Sequence, residues 1–505
     1  MNPVVKTRYG ELQGSLDQGA HSFKGVPYAA PPFGANRLCP PQPVVPWSGV
    51  RDALAFGPWA PQLPPPPGAE GFYPPDPPVP GEDCLNLNMW TPDVGSVGLP
   101  VMVWIHPSMF ELGSGAQYGG NHFARDGVVC VTINYRLGAD GFLYLGDGVA
   151  NLGLLDQIAA LEWVQENIAA FGGDPANVTV FGESAGAMSV GTLLAVPRAQ
   201  GLFRRAIMES GAAHTVMSAA TARRVAEQLA ERLGVPATRQ AISAVPLDRM
   251  LAAQGELKAE LGAHYLAVET GAARPDLDRW GAEVLTTCLP WQPVLDGDVI
   301  PAPPIQRIVE GAGAEVDVLV GTNTDDWRLF VVASGVSNHV TDQALAEVAT
   351  MFGLTAEPAL AAYRAAHPGA TAGDLLADLL TDWWCRIPAL RLADAHAKSG
   401  AATYMYEFAW RSPAFNGLLG ACHALELAFV FDNLSDKGTQ LLTGPNPPQQ
   451  LAATMHAAWV AFATNGDPGW PNYDLSCRAT MRIDTASEIL NDPRSAERSL
   501  WEGIR

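Results

Sequence analysis

Five short apolar runs mark the chain, each dense in Val, Ile or aromatic residues: LPVMVWI at 99–105, GVVCVTINY at 127–135, VTVFG at 178–182, VDVLVG at 316–321 and TYMYEFAW at 403–410. Runs of this length fit strands buried on both faces. Between them the apolar period changes from continuous to three or four. In residues 151–173, Leu154, Ile158, Leu161, Val164 and Ile168 fall on one helical face, and Gly172 ends the run. Residues 221–234 repeat the pattern with Val225, Leu229 and Leu233 before Gly234. Two further helices are predicted over 375–397, kinked at Pro388, and over 448–466. Strands alternating with helices predict an α/β fold with a mostly parallel sheet.

Composition sharpens this picture in a few places. The prolines of residues 61–83 read as an extended surface loop. Composition does not shift across it, and no internal repeat is seen, so residues 1–505 read as a single domain with insertions. A net charge of −21 argues against nucleic acid or an anionic membrane as partner. No run approaches a membrane span and the N-terminus has no signal-peptide core. Seven scattered cysteines without a CxxC pair read as mostly buried free thiols in a reducing, cytoplasmic setting.

The chemistry concentrates where the strand VTVFG meets Gly182-Glu183-Ser184-Ala185-Gly186 and then a helix. A G-x-S-x-G between strand and helix is a nucleophile elbow. The sharp turn holds the Ser184 hydroxyl out at the strand's end. The helix N-terminus supplies partial positive charge, and the Ala185 N–H is one donor to a developing oxyanion. A serine needs a base, and the base needs an orienting acid, expected in the order nucleophile, acid, histidine. His214, His264, His339, His367, His396, His423 and His456 follow Ser184. His367, His396 and His456 read as helical. His423 sits in a Gly-containing loop after the strand TYMYEFAW and is the preferred base. Asp325 and Asp326 close the strand VDVLVG, and the pattern alone leaves both open as the acid.

These residues resemble the type-B carboxylesterases, the α/β-hydrolases that include cholinesterases and bacterial para-nitrobenzyl esterases. The likeness covers nearly the whole chain, through FKGVPYAAPPFG, EDCLNLNMWTP, NYRLGADGFL, the block 155–189, LFRRAIMESG, WQPVLDGDVIP and FATNGDPGWPNY. It implies a large, mostly parallel sheet flanked by helices, with helical and loop insertions around the site. It implies hydrolysis of a small-molecule ester without metal or cofactor, by a monomer or small homo-oligomer. It places the triad on Ser184, Asp326 and His423, with Asp where the family normally has Glu. The family's eukaryotic members pair the cysteine equivalent to Cys84 with one upstream that is absent here, which implies a bacterial-type member.

The resemblance also identifies the stretch His106-Pro107-Ser108-Met109-Phe110 as the oxyanion loop, which in the family reads His-Gly-Gly-Gly-Phe. The donors then fall on Ser108, Met109 and Ala185. Either the loop keeps its path and its side chains reshape the substrate range, or it is displaced and the hole is lost. The substrate rim is expected from Glu183, Phe72, Tyr73, Tyr118, Trp280 and Phe415. Trp327, Trp383 and Trp384 read more simply as core. Acyl transfer, amide or carbamate cleavage, and a catalytically impaired binding homologue are the alternatives to ester hydrolysis.

Overall fold

Successive residues of the central strands feed two separate cores. Val101, Val103 and Ile105 pack on one side of the sheet and Met102 and Trp104 on the other. Val318 and Val320 likewise oppose Leu319. This is the two-residue period of a strand covered on both faces, and it explains why these runs carry no polar alternation. The computed structural model describes residues 2–65, 79–436 and 438–504.

The main sheet contains β1 (Ser15–Asp17), β2 (Ala20–Pro27), β3 (Asn86–Thr91), β4 (Leu99–Ile105), β5 (Val129–Ile133), β6 (Gly173–Glu183), β7 (Arg205–Glu209), β8 (Asp317–Asn323), β9 (Thr403–Phe408), β10 (Ala479–Ile483) and β11 (Glu488–Asn491). Their spatial order is β11-β10-β9-β8-β7-β6-β4-β5-β3-β2-β1. From β10 to β5 every neighbouring pair is parallel. The pairs at both edges are antiparallel. All five predicted strands are present. The antiparallel edges carried too weak a pattern to be read beforehand.

The principal helices are α1 (Leu152–Asn167), α2 (Ala185–Ala195), α3 (Ala219–Leu233), α4 (Leu247–Glu269), α5 (Ala372–Thr381), α6 (Ile387–His396) and α7 (Gln449–Asn465). The first core takes α1 and α2. The second takes the buried Met455, Trp459 and Phe462 of α7. Helices α3 and α4 are inserted between β7 and β8, and α5 and α6 between β8 and β9. A buried ion pair ties the NYRLG segment to α1: Arg136 Nε and Nη2 each lie 2.7 Å from the Asp156 carboxylate. Removing one partner would strand a charge in the core.

Pro388 leaves its mark as expected, though as a widened turn. It has no N–H to close an α-helical bond to residue 384. The chain makes a π-helical turn over Asp382–Arg386 between α5 and α6. That turn sets Trp384 and Cys385 into a cavity wall. All seven cysteines are free thiols, and Cys84, Cys130, Cys385 and Cys422 are buried. Among the described residues no helix is long and apolar enough to cross a membrane.

Candidate active site

Ser184 follows the last residue of β6 and caps α2 with φ 52° and ψ −121°. This strained conformation is what a nucleophile elbow imposes on its serine. The flanking glycines are there for space. A Cβ on Gly186 would lie 2.0 Å from the Ile105 carbonyl oxygen, and one on Gly182 would lie 2.8 Å from it. The Ser184 N–H donates to the Glu209 carbonyl at 2.9 Å, and its own carbonyl accepts from Met188 N at 2.8 Å. The turn is therefore held from β7 and from the first turn of α2.

His423 and Asp326 come from two loops laced together. His423 Nδ1 lies 2.8 Å from Asp326 Oδ1, and the His423 N–H donates to the Asp326 carbonyl at 3.1 Å. Asp326 Oδ2 accepts from Asn323 N at 3.0 Å, which fixes the carboxylate at the end of β8. Asp325, left open by the sequence, does other work. Its Oδ2 accepts from Ala421 N at 2.9 Å and pairs with Arg411 at 2.8 Å. It pins the histidine loop and does not touch the ring.

His423 Nε2 lies 3.0 Å from Glu183 Oε1. Glu426 and Glu209 are fully buried nearby. Asn323 Nδ2 donates to Glu426, and Trp459 Nε1 donates to Glu209 at 2.8 Å. The floor of the site is thus rich in carboxyl groups. Burial alone would pull the His423 ring below its ordinary value. The Glu183 carboxylate, and then Asp326, override that and hold it up at about 9. Burial pushes Glu183 well above the carboxylate range despite the pull of His423. Burial, reinforced by Asp326, pushes Glu426 up to about 7. Cys385 stands beside the pair, its Sγ within 4.8 Å of ligand atoms of Asp326 and His423. Burial, with Asp326 adding to it, keeps Cys385 a protonated thiol.

The segment after His106 has no glycine until Gly113, yet it follows a path glycine would favour. Ser108, Met109 and Phe110 have φ of 88°, 59° and 60°. Side chains pay about 1–2 kcal/mol each to stay in this region. Its anchors are on both sides. Phe110 is buried edge-on against Phe142, and its carbonyl accepts from Gly138 N at 2.7 Å. His106 stacks on Tyr135, and its Nδ1 lies 3.0 Å from the Pro107 carbonyl. Burial drops His106 to about 4, so the ring is a neutral structural donor. Among the described residues no protein group accepts from Ser108 N or Met109 N. The Ala185 N–H opens α2 and has no intrahelical acceptor.

Ser184, His423 and Met109 line two joined lobes, one of about 1070 Å³ and one of about 240 Å³. Glu183 and Tyr118 line the larger lobe, as expected of rim residues. Phe72 and Tyr73 lie outside the described residues. Trp280 is corrected from rim to core. It is 1% exposed, carries Arg279 over its ring, and belongs to neither lobe. Phe415 is also corrected. It sits at 42% exposure on a short surface turn outside both walls. Trp327 and Trp384 stack at 4.7 Å and form a wall of the smaller lobe. They read as core because no periodicity separates a core face from a cavity face.

Comparison with known proteins shows the family of the whole chain. The carboxylesterase family model matches residues 1–501. A para-nitrobenzyl esterase of Bacillus subtilis is 38% identical, over 98% of this chain and 97% of its own. A phenmedipham hydrolase of Pseudarthrobacter oxydans is 35% identical over 97% of both chains. A carboxylesterase structure from Geobacillus stearothermophilus superposes with a TM-score of 0.84 at 37% identity, covering 99% of each chain. The chain therefore belongs to the carboxylesterase family, serine carboxylic-ester hydrolases of the α/β-hydrolase fold.

Proposed function

We propose that this chain hydrolyses carboxylic esters through an acyl-enzyme on Ser184. The observation that carries the reading is a His423–Asp326 hydrogen bond on the same cavity wall as a serine held at positive φ. His423 takes the Ser184 proton as the hydroxyl attacks the ester carbonyl. The oxyanion is received by the N–H groups of Ser108, Met109 and Ala185. His423 then protonates the leaving alcohol. Water enters from the larger lobe, loses its proton to His423, and frees the acid. Every step uses protein groups, and Asp326 keeps Nε2 as the atom that accepts the proton. The test is turnover of short para-nitrophenyl esters together with a serine-reactive phosphonate. A phosphonate adduct mapped to any residue other than Ser184 would overturn the assignment.

The pH dependence follows from the Glu183 contact. An ordinary histidine would place the acid limb near about 6–7. A ring held up at about 9 stays protonated over a wider range. Only the neutral ring can accept the Ser184 proton, so kcat/KM is expected to fall as pH drops through the raised value. Glu183→Gln removes the ionisable carboxyl facing Nε2. Its acid limb is expected to move down by about one pH unit or more. An unshifted profile in a kcat/KM titration would show that Glu183 does not set the base.

The loop gives a second expectation. Met109 faces both lobes, so its side chain narrows the space at the reacting carbonyl. Replacing Pro107, Ser108 and Met109 together by glycine is expected to broaden the alcohol groups accepted, read as a profile of ester rates. Ser108→Gly and Met109→Gly remove positive-φ strain but add chain entropy. Their combined gain is expected to be about 1 kcal/mol in urea unfolding. An unchanged profile would show that the side chains do not set the range.

A further inference from the structure

We propose that the smaller lobe selects esters carrying a hydroxyl at the far end of one branch, received there by Glu269 and Tyr265. This rests on the ester-hydrolase reading above and names the substrate feature the site recognises. Ser184 and His423 line the lobe together with Met188, Trp327, Phe330 and the C-terminal part of α4. Its walls are mostly apolar, and Glu269 and Tyr265, one turn apart on α4, both line it. Glu269 is 7% exposed and hydrogen-bonded to Tyr265. Burial pushes its carboxyl up to about 7, against the pull of that hydrogen bond. The indole N–H of Trp384, in the same wall, faces the Tyr265 hydroxyl.

These groups make demands that an alkyl chain cannot meet. A carboxyl has more hydrogen-bonding capacity than one phenol satisfies. A hydroxyl both donates and accepts, so it can bond Glu269 in either protonation state. A cationic end is disfavoured because Lys258 lines the same lobe, held by Cys288 O and by Glu111 Oε2 at 2.8 Å each. An anionic end would face Glu269. The volume of about 240 Å³ corresponds to about eight waters, room for a branch of about six to eight heavy atoms.

The test uses Ser184→Ala protein, in which turnover is expected to be too slow to disturb a titration, and two isosteric pairs. These are para-nitrophenyl 6-hydroxyhexanoate against the heptanoate, and 6-hydroxyhexyl acetate against heptyl acetate. Calorimetric titration is expected to show about tenfold tighter binding of the hydroxyl-ended member of at least one pair. Adding Glu269→Leu is expected to erase that preference, and Glu269→Gln, which keeps an acceptor, to retain part of it. Equal affinities within both pairs, or a preference that survives Glu269→Leu, would overturn the proposal. Should the Leu variant fail to fold, Tyr265→Phe decides: the preference must shrink. Failure of the hydrolase reading shows separately. Wild-type protein would leave para-nitrophenyl acetate, which carries no hydroxyl-ended branch, intact.

Discussion

Ser184→Ala is expected to lower kcat/KM for para-nitrophenyl acetate by about 10⁵–10⁶-fold. The variant removes the attacking oxygen and nothing that holds the turn. The Ser184 N–H bond to Glu209 and the Met188 bond to the Ser184 carbonyl are both backbone contacts. Alanine carries the same Cβ, so the strain at φ 52° is unchanged. Urea unfolding should therefore match wild type, and the loss should fall on the chemical step. The donors at Ser108, Met109 and Ala185 remain, so slow hydrolysis above the uncatalysed rate is expected to persist. Activity within tenfold of wild type would place the nucleophile elsewhere.

Asp326→Asn is expected to cost about 10⁴-fold in kcat with little change in KM. The size follows from how its two oxygens are occupied. Oδ2 accepts from the Asn323 N–H at 3.0 Å, and Oδ1 faces His423 Nδ1 at 2.8 Å. An asparagine must turn its carbonyl toward the Asn323 N–H, since a donor there would meet a donor. Its NH₂ then faces Nδ1 and forces the proton onto Nε2. That tautomer cannot take the Ser184 proton. Asp326→Glu keeps an acceptor on both sides and is expected to lose less than Asp326→Asn, despite the added methylene in a fully buried position. Steady-state kinetics with both variants distinguishes loss of tautomer control from simple crowding, which would penalise Glu more.

The proposed triad shows how far a linear pattern reaches. Ser184 was legible because a strand, two glycines and a helix must lie together along the chain to make the elbow. His423 was favoured by its loop and by the family likeness. Asp326 was separated from Asp325 by resemblance, and the structure supplies the reason in hydrogen bonds. Asp325 bonds Ala421 and Arg411, and Asp326 bonds Asn323 and His423. Adjacent side chains point to different neighbours, and composition says nothing about which. Trp280 and Phe415 were misplaced for a related reason. Aromatic residues are equally at home in a core, on a surface turn and in a pocket wall.

By itself the sequence determined the central strands, the flanking helices and the elbow, because each depends on contacts within a dozen residues or on a repeated period. It also carried the substitution of glycine by Pro107, Ser108 and Met109. Only the tertiary structure decided that Ser108 and Met109 take positive φ, held by Phe110 and His106 from either side. Only the tertiary structure brought Glu183 to 3.0 Å from His423 and raised the ring to about 9. It alone set Glu269 in the wall of a lobe that Ser184 also lines. Burial and charge–charge distance are properties of folded neighbours far apart in the chain, so the nature of the base and the shape of the cavity emerge only when the fold is closed.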